Sequence, residues 1–208
     1  GNKTLTLGAA SVGFNEKPSV FYVPLEGEKF VRQMMTPFNP NLLVLLANSG
    51  WSIERVFMVM LREMNGVKNA PSASGPTPAR APEFEAFREA AHQLRELQAA
   101  GGLELGRIPD DEAALELRFS PEFVGSPAAV RLREILGLHP GLDRYPVRLG
   151  IGKIDDRTLT ILPRSMVSSL SFLSQGVMVP EADLAQGRVT RTLDAAGQPF
   201  DWGRVFDH

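Results

Sequence analysis

Ser52 to Met64 carries the clearest periodic pattern in the chain. Ile53, Val56, Phe57, Met60, Leu61 and Met64 recur at i, i+3, i+4, i+7, i+8 and i+11, the spacing of one helical face. Ser52 suits the N-cap, Glu54 complements the helix dipole, and Arg55, Arg62 and Glu63 take the other side before Asn65-Gly66 ends the element. Asn41 to Ser49 predicts a shorter, almost wholly apolar helix stopped by Gly50, so the two form a helical hairpin with Trp51 at its corner. A second amphipathic helix spans Glu83 to Ala100, with Pro82 near N1, a stripe of Phe84, Phe87, Ala91, Leu94 and Leu97, and Gly101-Gly102 as its stop. Ser126-Pro127 opens a helix running to about Leu136 and closed by Gly137, and Ser165 caps another from Met166 to about Ser174.

Period-two alternation marks the strands. Thr4 to Leu7 and Val20 to Val23 read as short extended segments. Leu103-Glu104-Leu105 and Ala114 to Phe119 predict a hairpin across Pro109-Asp110-Asp111. Val147 to Ile151 and Thr158 to Ile161 predict a second around Asp155-Asp156. Helices and hairpins come in separate blocks, not in βαβ alternation. The expectation is an α+β fold, a helical hairpin plus antiparallel β-hairpins with packed amphipathic helices.

Ala70 to Pro82 reads APSASGPTPARAP, too poor in apolar residues to be buried, and predicts a flexible connection at 70–82. It reads as an exposed loop in a single domain of 1–208, the alternative being a split into 1–69 and 83–208. The chain is long enough to bury about 70% of its unfolded surface without staples. Apolar residues at 43% and charged residues at 22% are ordinary globular values. Lys+Arg 22 against Asp+Glu 24 leaves a net charge of −2, and no basic patch with interleaved aromatics appears, so nucleic acid is not an expected partner. The longest apolar run, Leu42 to Ala47, is far short of the roughly 20 residues that span a bilayer.

The absence of cysteine excludes disulfides, thiolate nucleophiles and Cys-ligated metals. His92, His139 and His208 lie far apart and match no zinc motif. No G-x-S-x-G is present, and Ser165, where a strand feeds a helix, reads as an N-cap instead of a nucleophile. Gly150-Ile151-Gly152-Lys153 lacks the spacing of a phosphate loop and reads as a bulge or close packing. Asp110-Asp111-Glu112 and Asp155-Asp156 read as solvated turns. No cofactor, metal or catalytic set is expected. The one candidate binding group is Trp51, Arg55, Asn65 and Asn69, since Trp and Arg anchor interfaces and Asn residues beyond a helix end line polar grooves. The competing reading has Trp51 plugging the corner while the asparagines cap and turn.

Three stretches together carry a resemblance: TPFNPNLLVLLANSGWSIERVFMVMLREMNGVKN (Thr36 to Asn69), LTILPRSMVSSLSFLSQGVMVPEADLAQGRV (Leu159 to Val189) and GQPFDW (Gly197 to Trp202). They resemble a group of proteobacterial envelope proteins of uncharacterised function, often labelled lipoproteins. The resemblance implies export, membrane anchoring through a lipidated segment upstream of Gly1, and further β structure beyond the Phe-Asp-Trp region. It implies no activity. The expected function is therefore a non-enzymatic envelope domain that meets an envelope protein partner through a protein–protein surface. The Asn41–Met64 hairpin is the candidate surface, because Met58 and Val59 widen its apolar stripe. The alternatives are a hydrolase or transferase that assembles a site from His92, His139, Asp155 or Asp156, and an apolar small-molecule or lipid binder.

Overall fold

The computed structural model describes residues 27–71, 80–108, 111–177 and 179–206, with only the backbone of 111–113. The segments Thr4 to Leu7 and Val20 to Val23, the tip of the first hairpin at 109–110, most of the Pro-rich stretch (72–79) and His208 lie outside them. Three helices come first, α1 (Gly27–Met35), α2 (Pro40–Asn48) and α3 (Ile53–Met60), then the strands β1 (Leu61–Met64) and β2 (Val67–Lys68). After the Pro-rich stretch follow α4 (Glu85–Ala99), β3 (Leu103–Ile108), β4 (Asp111–Phe119), α5 (Pro127–Leu136), β5 (Arg144–Leu149) and β6 (Leu159–Pro163). The chain continues through α6 (Met166–Ser174) and two short helices, α7 (Glu181–Ala185) and α8 (Gly203–Phe206). The strands form one sheet in the order β2-β1-β6-β5-β4-β3. The fold is α+β. Strands from both sides of the Pro-rich stretch share this sheet.

Residues paired across a sheet point to the same face. The registers therefore put Leu103, Leu105, Leu117, Phe119, Tyr145, Val147, Leu159, Ile161 and Met64 on one face. That face joins α3, α4 and α5 in one continuous core. Glu63, Glu104, Glu116, Arg118, Arg144, Arg148 and Thr160 take the other face. The α4 stripe is buried as its spacing predicts, with Phe84, Phe87, Ala91, Leu94 and Leu97 all at most 2% exposed. Ser126 caps α5 by accepting the Ala129 N–H, and Gly137 closes it with φ +60°.

Two expectations are corrected. The helix expected over Ser52–Met64 ends at Met60, and the backbone is extended from Leu61 onward. Asn65 (φ +46°) and Gly66 (φ +83°) form the mirror-image turn that joins β1 to β2, a hairpin signal hidden behind the helical spacing. Leu61 and Met64 lie three apart, so a regular strand would turn them to opposite faces. A register shift between Leu61 and Glu63 turns both inward, and both are fully buried. The apolar spacing of a helix is thus met by a helix followed by a bulged strand.

The second correction concerns β5 and β6, which are neighbours but parallel, Val147 opposite Leu159 and Leu149 opposite Ile161. Asp155-Asp156 therefore lies in a loop that runs back along the sheet instead of in a hairpin turn. The Gly152 N–H donates to Glu63 Oε1 at 2.5 Å and the His139 N–H to the Asp156 carbonyl at 2.6 Å, which holds the returning loop at both ends. Gly150 packs against the Thr160 methyl, the close approach expected of it.

Candidate functional site

The four candidate binding residues separate into two pairs. Asn65 and Asn69 are buried and used up by backbone. Asn65 Nδ2 donates to the Leu136 carbonyl at 3.0 Å and its Oδ1 accepts the Thr160 N–H at 2.6 Å, tying the β1–β2 turn to α5 and β6. Asn69 Nδ2 donates to the carbonyls of Met58 and Leu61 at 2.8 and 2.9 Å, and its Oδ1 accepts the Ala70 N–H. These carbonyls are ones that the α3-to-β1 transition leaves without a helical partner. Both side chains bind the fold to itself.

Trp51 and Arg55 point elsewhere. Trp51 does not plug the hairpin corner; it is 59% exposed. The corner is filled from α4 by Gln98, whose Nε2 donates to the Ala47 and Trp51 carbonyls while its Oε1 accepts the Ile53 N–H at 2.9 Å. Gln98 thus caps α3 in place of Ser52, which makes no side-chain capping bond. The indole is left free to form one wall of a groove.

That groove has a volume of about 530 Å³. Leu46 of α2, Val56 and Val59 of α3, Leu173 of α6 and Phe206 of α8 form its walls, beside Trp51. Arg55 is the one charged residue among the described residues lining it, and it has no ion-pair partner among them. Phe172 forms the floor and contacts Phe206 at a centroid distance of 4.9 Å. The Val205–Phe206 end is docked in turn, with Val205 fully buried and Arg88 Nη1 donating to the Arg204 carbonyl at 2.8 Å. Sequence reasoning reached Val59 through its place beside the main stripe. It missed Leu173 and Phe206, although Met166, Leu170 and Leu173 fall at i, i+4 and i+7 and are all exposed.

The catalytic candidates distribute differently. His139 and Asp156 do come together, with Glu134 and Lys153, around a cleft of about 670 Å³. His139 Nδ1 accepts the Gly141 N–H at 3.1 Å. His92 is half exposed on α4, its Nδ1 3.6 Å from Glu54 Oε1 and its Nε2 4.0 Å from Glu96. Glu54 is buried and also lies 3.5 Å from Arg95, so it joins α3 to α4 more than it serves the α3 dipole. Asp155 accepts the Arg157 N–H at 2.8 Å, and this bond, with further ones from Thr158, holds its carboxyl below the usual aspartate range. Ser165 Oγ accepts the Ser168 N–H at 3.2 Å, the geometry of a cap. Among the described residues no three His, Asp or Glu side chains gather as a metal site, and no helix is long and apolar enough to cross a membrane.

No protein-family model, no curated protein and no solved structure matches this chain.

Proposed function

We propose that the chain is a non-enzymatic binding domain of the bacterial envelope, and that the groove between α3 and α6 receives an apolar segment of a protein partner. One observation carries the docking reading: among the described residues, apolar walls from four helices surround one cation that has no ion-pair partner, with a largely exposed tryptophan at the edge. Small-molecule sites enclose their ligand and converge several polar groups on it, whereas Trp and Arg beside apolar surface are the residues that dominate protein interfaces. Covering the exposed part of Trp51 alone removes on the order of 150 Å² from water, worth roughly 3 kcal/mol before association costs. Arg55 adds selectivity for a carboxylate on the incoming segment. The envelope location is supported by the resemblance of the three stretches named above.

The test uses Trp51 as reporter in a Trp202→Phe background. A helical peptide with leucines at i, i+4 and i+7 and one glutamate should quench and shift its emission, and Val59→Asp should abolish the effect. Binding of anilinonaphthalene sulfonate without binding of the peptide would move the assignment to a small apolar ligand. Among the described residues, the catalytic alternative fits the cleft of His139, Lys153 and Asp156. Loss of any detected hydrolytic activity on His139→Gln, with groove binding unchanged, would favour it.

A further inference from the structure

We propose that the segment filling the groove is α1 of a second copy of this chain, in a twofold-symmetric dimer. The inference rests on the docking role of the groove and names its occupant. Among the described helices of eight residues or more, α1 alone buries no residue. Its Phe30, Val31 and Met35 are 45%, 54% and 64% exposed, while Glu28, Lys29 and Arg32 occupy its other positions. A helix of this length does not hold itself in water, since its stability comes from covering an apolar face. Among the described residues there are therefore both an uncovered amphipathic helix and an unfilled apolar groove.

Their placement is what makes the match reciprocal. α1 packs on α6, and the Pro37–Ser165 bridge sets the end of α1 beside the start of α6. α6 bounds the groove with Leu173, and α1 contributes nothing to the groove of its own chain. α6 exposes Met166, Leu170 and Leu173 as a stripe. A twofold axis across this stripe packs α6 on α6 and lays α1 of each copy along the groove of the other, a closed and self-complementary interface. The exposed parts of Phe30, Val31, Met35, Trp51, Met166, Leu170 and Leu173 come to roughly 700 Å², close to the area each partner contributes to a standard interface. Charge agrees as well. α1 brings Glu28, which among the described residues of its own chain pairs with Arg32 one turn on, toward Arg55 of the groove, which has no ion-pair partner among them.

Sedimentation equilibrium on the full chain tests this over about 1 to 100 μM, the range of weak to moderate self-association. The expected result is a dimer that Phe30→Glu and Leu170→Glu each convert to monomer with an unchanged far-UV spectrum. Since the chain has no cysteine, a mixture of Val31→Cys and Val59→Cys chains should form a mixed disulfide dimer in higher yield than either variant alone. A chain that stays monomeric, or a dimer indifferent to both glutamates, overturns the inference. A monomer that still binds the leucine–glutamate peptide refutes the second copy but leaves the groove a docking site, and a monomer that binds no peptide removes both.

Discussion

The guanidinium of Arg164 lies 4.0 Å from the centre of the Phe172 ring, fully buried and with no carboxylate beside it among the described residues. Its Nε donates to the Leu61 carbonyl at 3.0 Å and its Nη2 to the Ala70 carbonyl at 2.8 Å. Burial and the nearby Arg62 pull its proton affinity down; the two carbonyls and the ring face hold the charged form in place. The same device recurs under α5. Arg133 lies 4.5 Å over Phe119 and donates to the Val124 and Leu142 carbonyls and to the Tyr145 hydroxyl. Each buried arginine donates to two backbone carbonyls, one of which also accepts from a second side chain, Asn69 at Leu61 and Tyr145 at Leu142. Arg164 also fixes Phe172, and with it the floor of the groove.

Arg164→Lys should therefore cost more than Arg164→Met. The ammonium keeps the buried charge but lacks the planar fork that reaches two carbonyls, whereas methionine removes the charge together with both arginine bonds and leaves Asn69 still donating to the Leu61 carbonyl. Losses on the order of 2–4 kcal/mol for Lys and about 1–2 kcal/mol for Met are expected from urea midpoints at neutral pH. The reverse order would show that the charge itself stabilises the site.

At Asn69 the amide holds two carbonyls, so the aspartate variant puts a carboxylate against both. Asn69→Ala should cost on the order of 3 kcal/mol and Asn69→Asp more, although the latter is nearly isosteric. Thermal unfolding of the two variants gives the comparison. Equal losses would mean that water or side-chain rotation already satisfies the amide.

Gly101 and Gly102, adjacent stops of α4, should respond to alanine for different reasons. Gly101 has φ +71° and open space around a would-be Cβ, so Gly101→Ala carries only a backbone cost of about 1 kcal/mol. At Gly102 a Cβ would sit 2.4 Å from Cγ and 2.9 Å from Cβ of Phe123, the root of that side chain, which cannot swing away. Gly102→Ala should exceed 2 kcal/mol, roughly the cost of overpacking. Chemical denaturation of both variants decides it, and similar losses would contradict the contact.

Burial raises the Tyr145 hydroxyl above its ordinary value, against the opposing hydrogen bond from Arg133. An acid whose folded value is raised keeps its proton longer in the folded state, so its stabilisation is full below the unfolded value and lost as pH climbs through the folded one. In a Tyr22→Phe chain, phenolate absorbance should thus lag behind that of free tyrosine and rise with unfolding above about pH 10. A simple tyrosine titration in a chain that stays folded would contradict this.

The fold was legible where spacing, caps and stops agreed, as at α4, where the Phe84–Leu97 stripe fits a single helix, and at α5, where Ser126 and Gly137 mark both ends. It was misread where one pattern served two structures. Ile53 to Met64 keeps a helical spacing because a bulge aligns Leu61 with Met64, and only Asn65-Gly66 betrayed the hairpin. The direction of β6 against β5 was hidden because it depends on Glu63 and His139 holding the loop, contacts distant in sequence. At the candidate site, the sequence pattern places Trp51 and Arg55 in one group with Asn65 and Asn69, which the fold separates from them. Their amides point inward to carbonyls of α3, β1 and α5, which no local pattern records. Gln98, which frees Trp51, looks like any polar position on a surface helix.

The accessibility of Trp51 tests the central claim most directly. In the Trp202→Phe chain, acrylamide should quench Trp51 strongly in dilute protein and much less once a protein segment fills the groove, whether through self-association at high concentration or through the added leucine–glutamate peptide. Quenching that is equally strong at every concentration and unaffected by the peptide would contradict a groove built to be covered by protein.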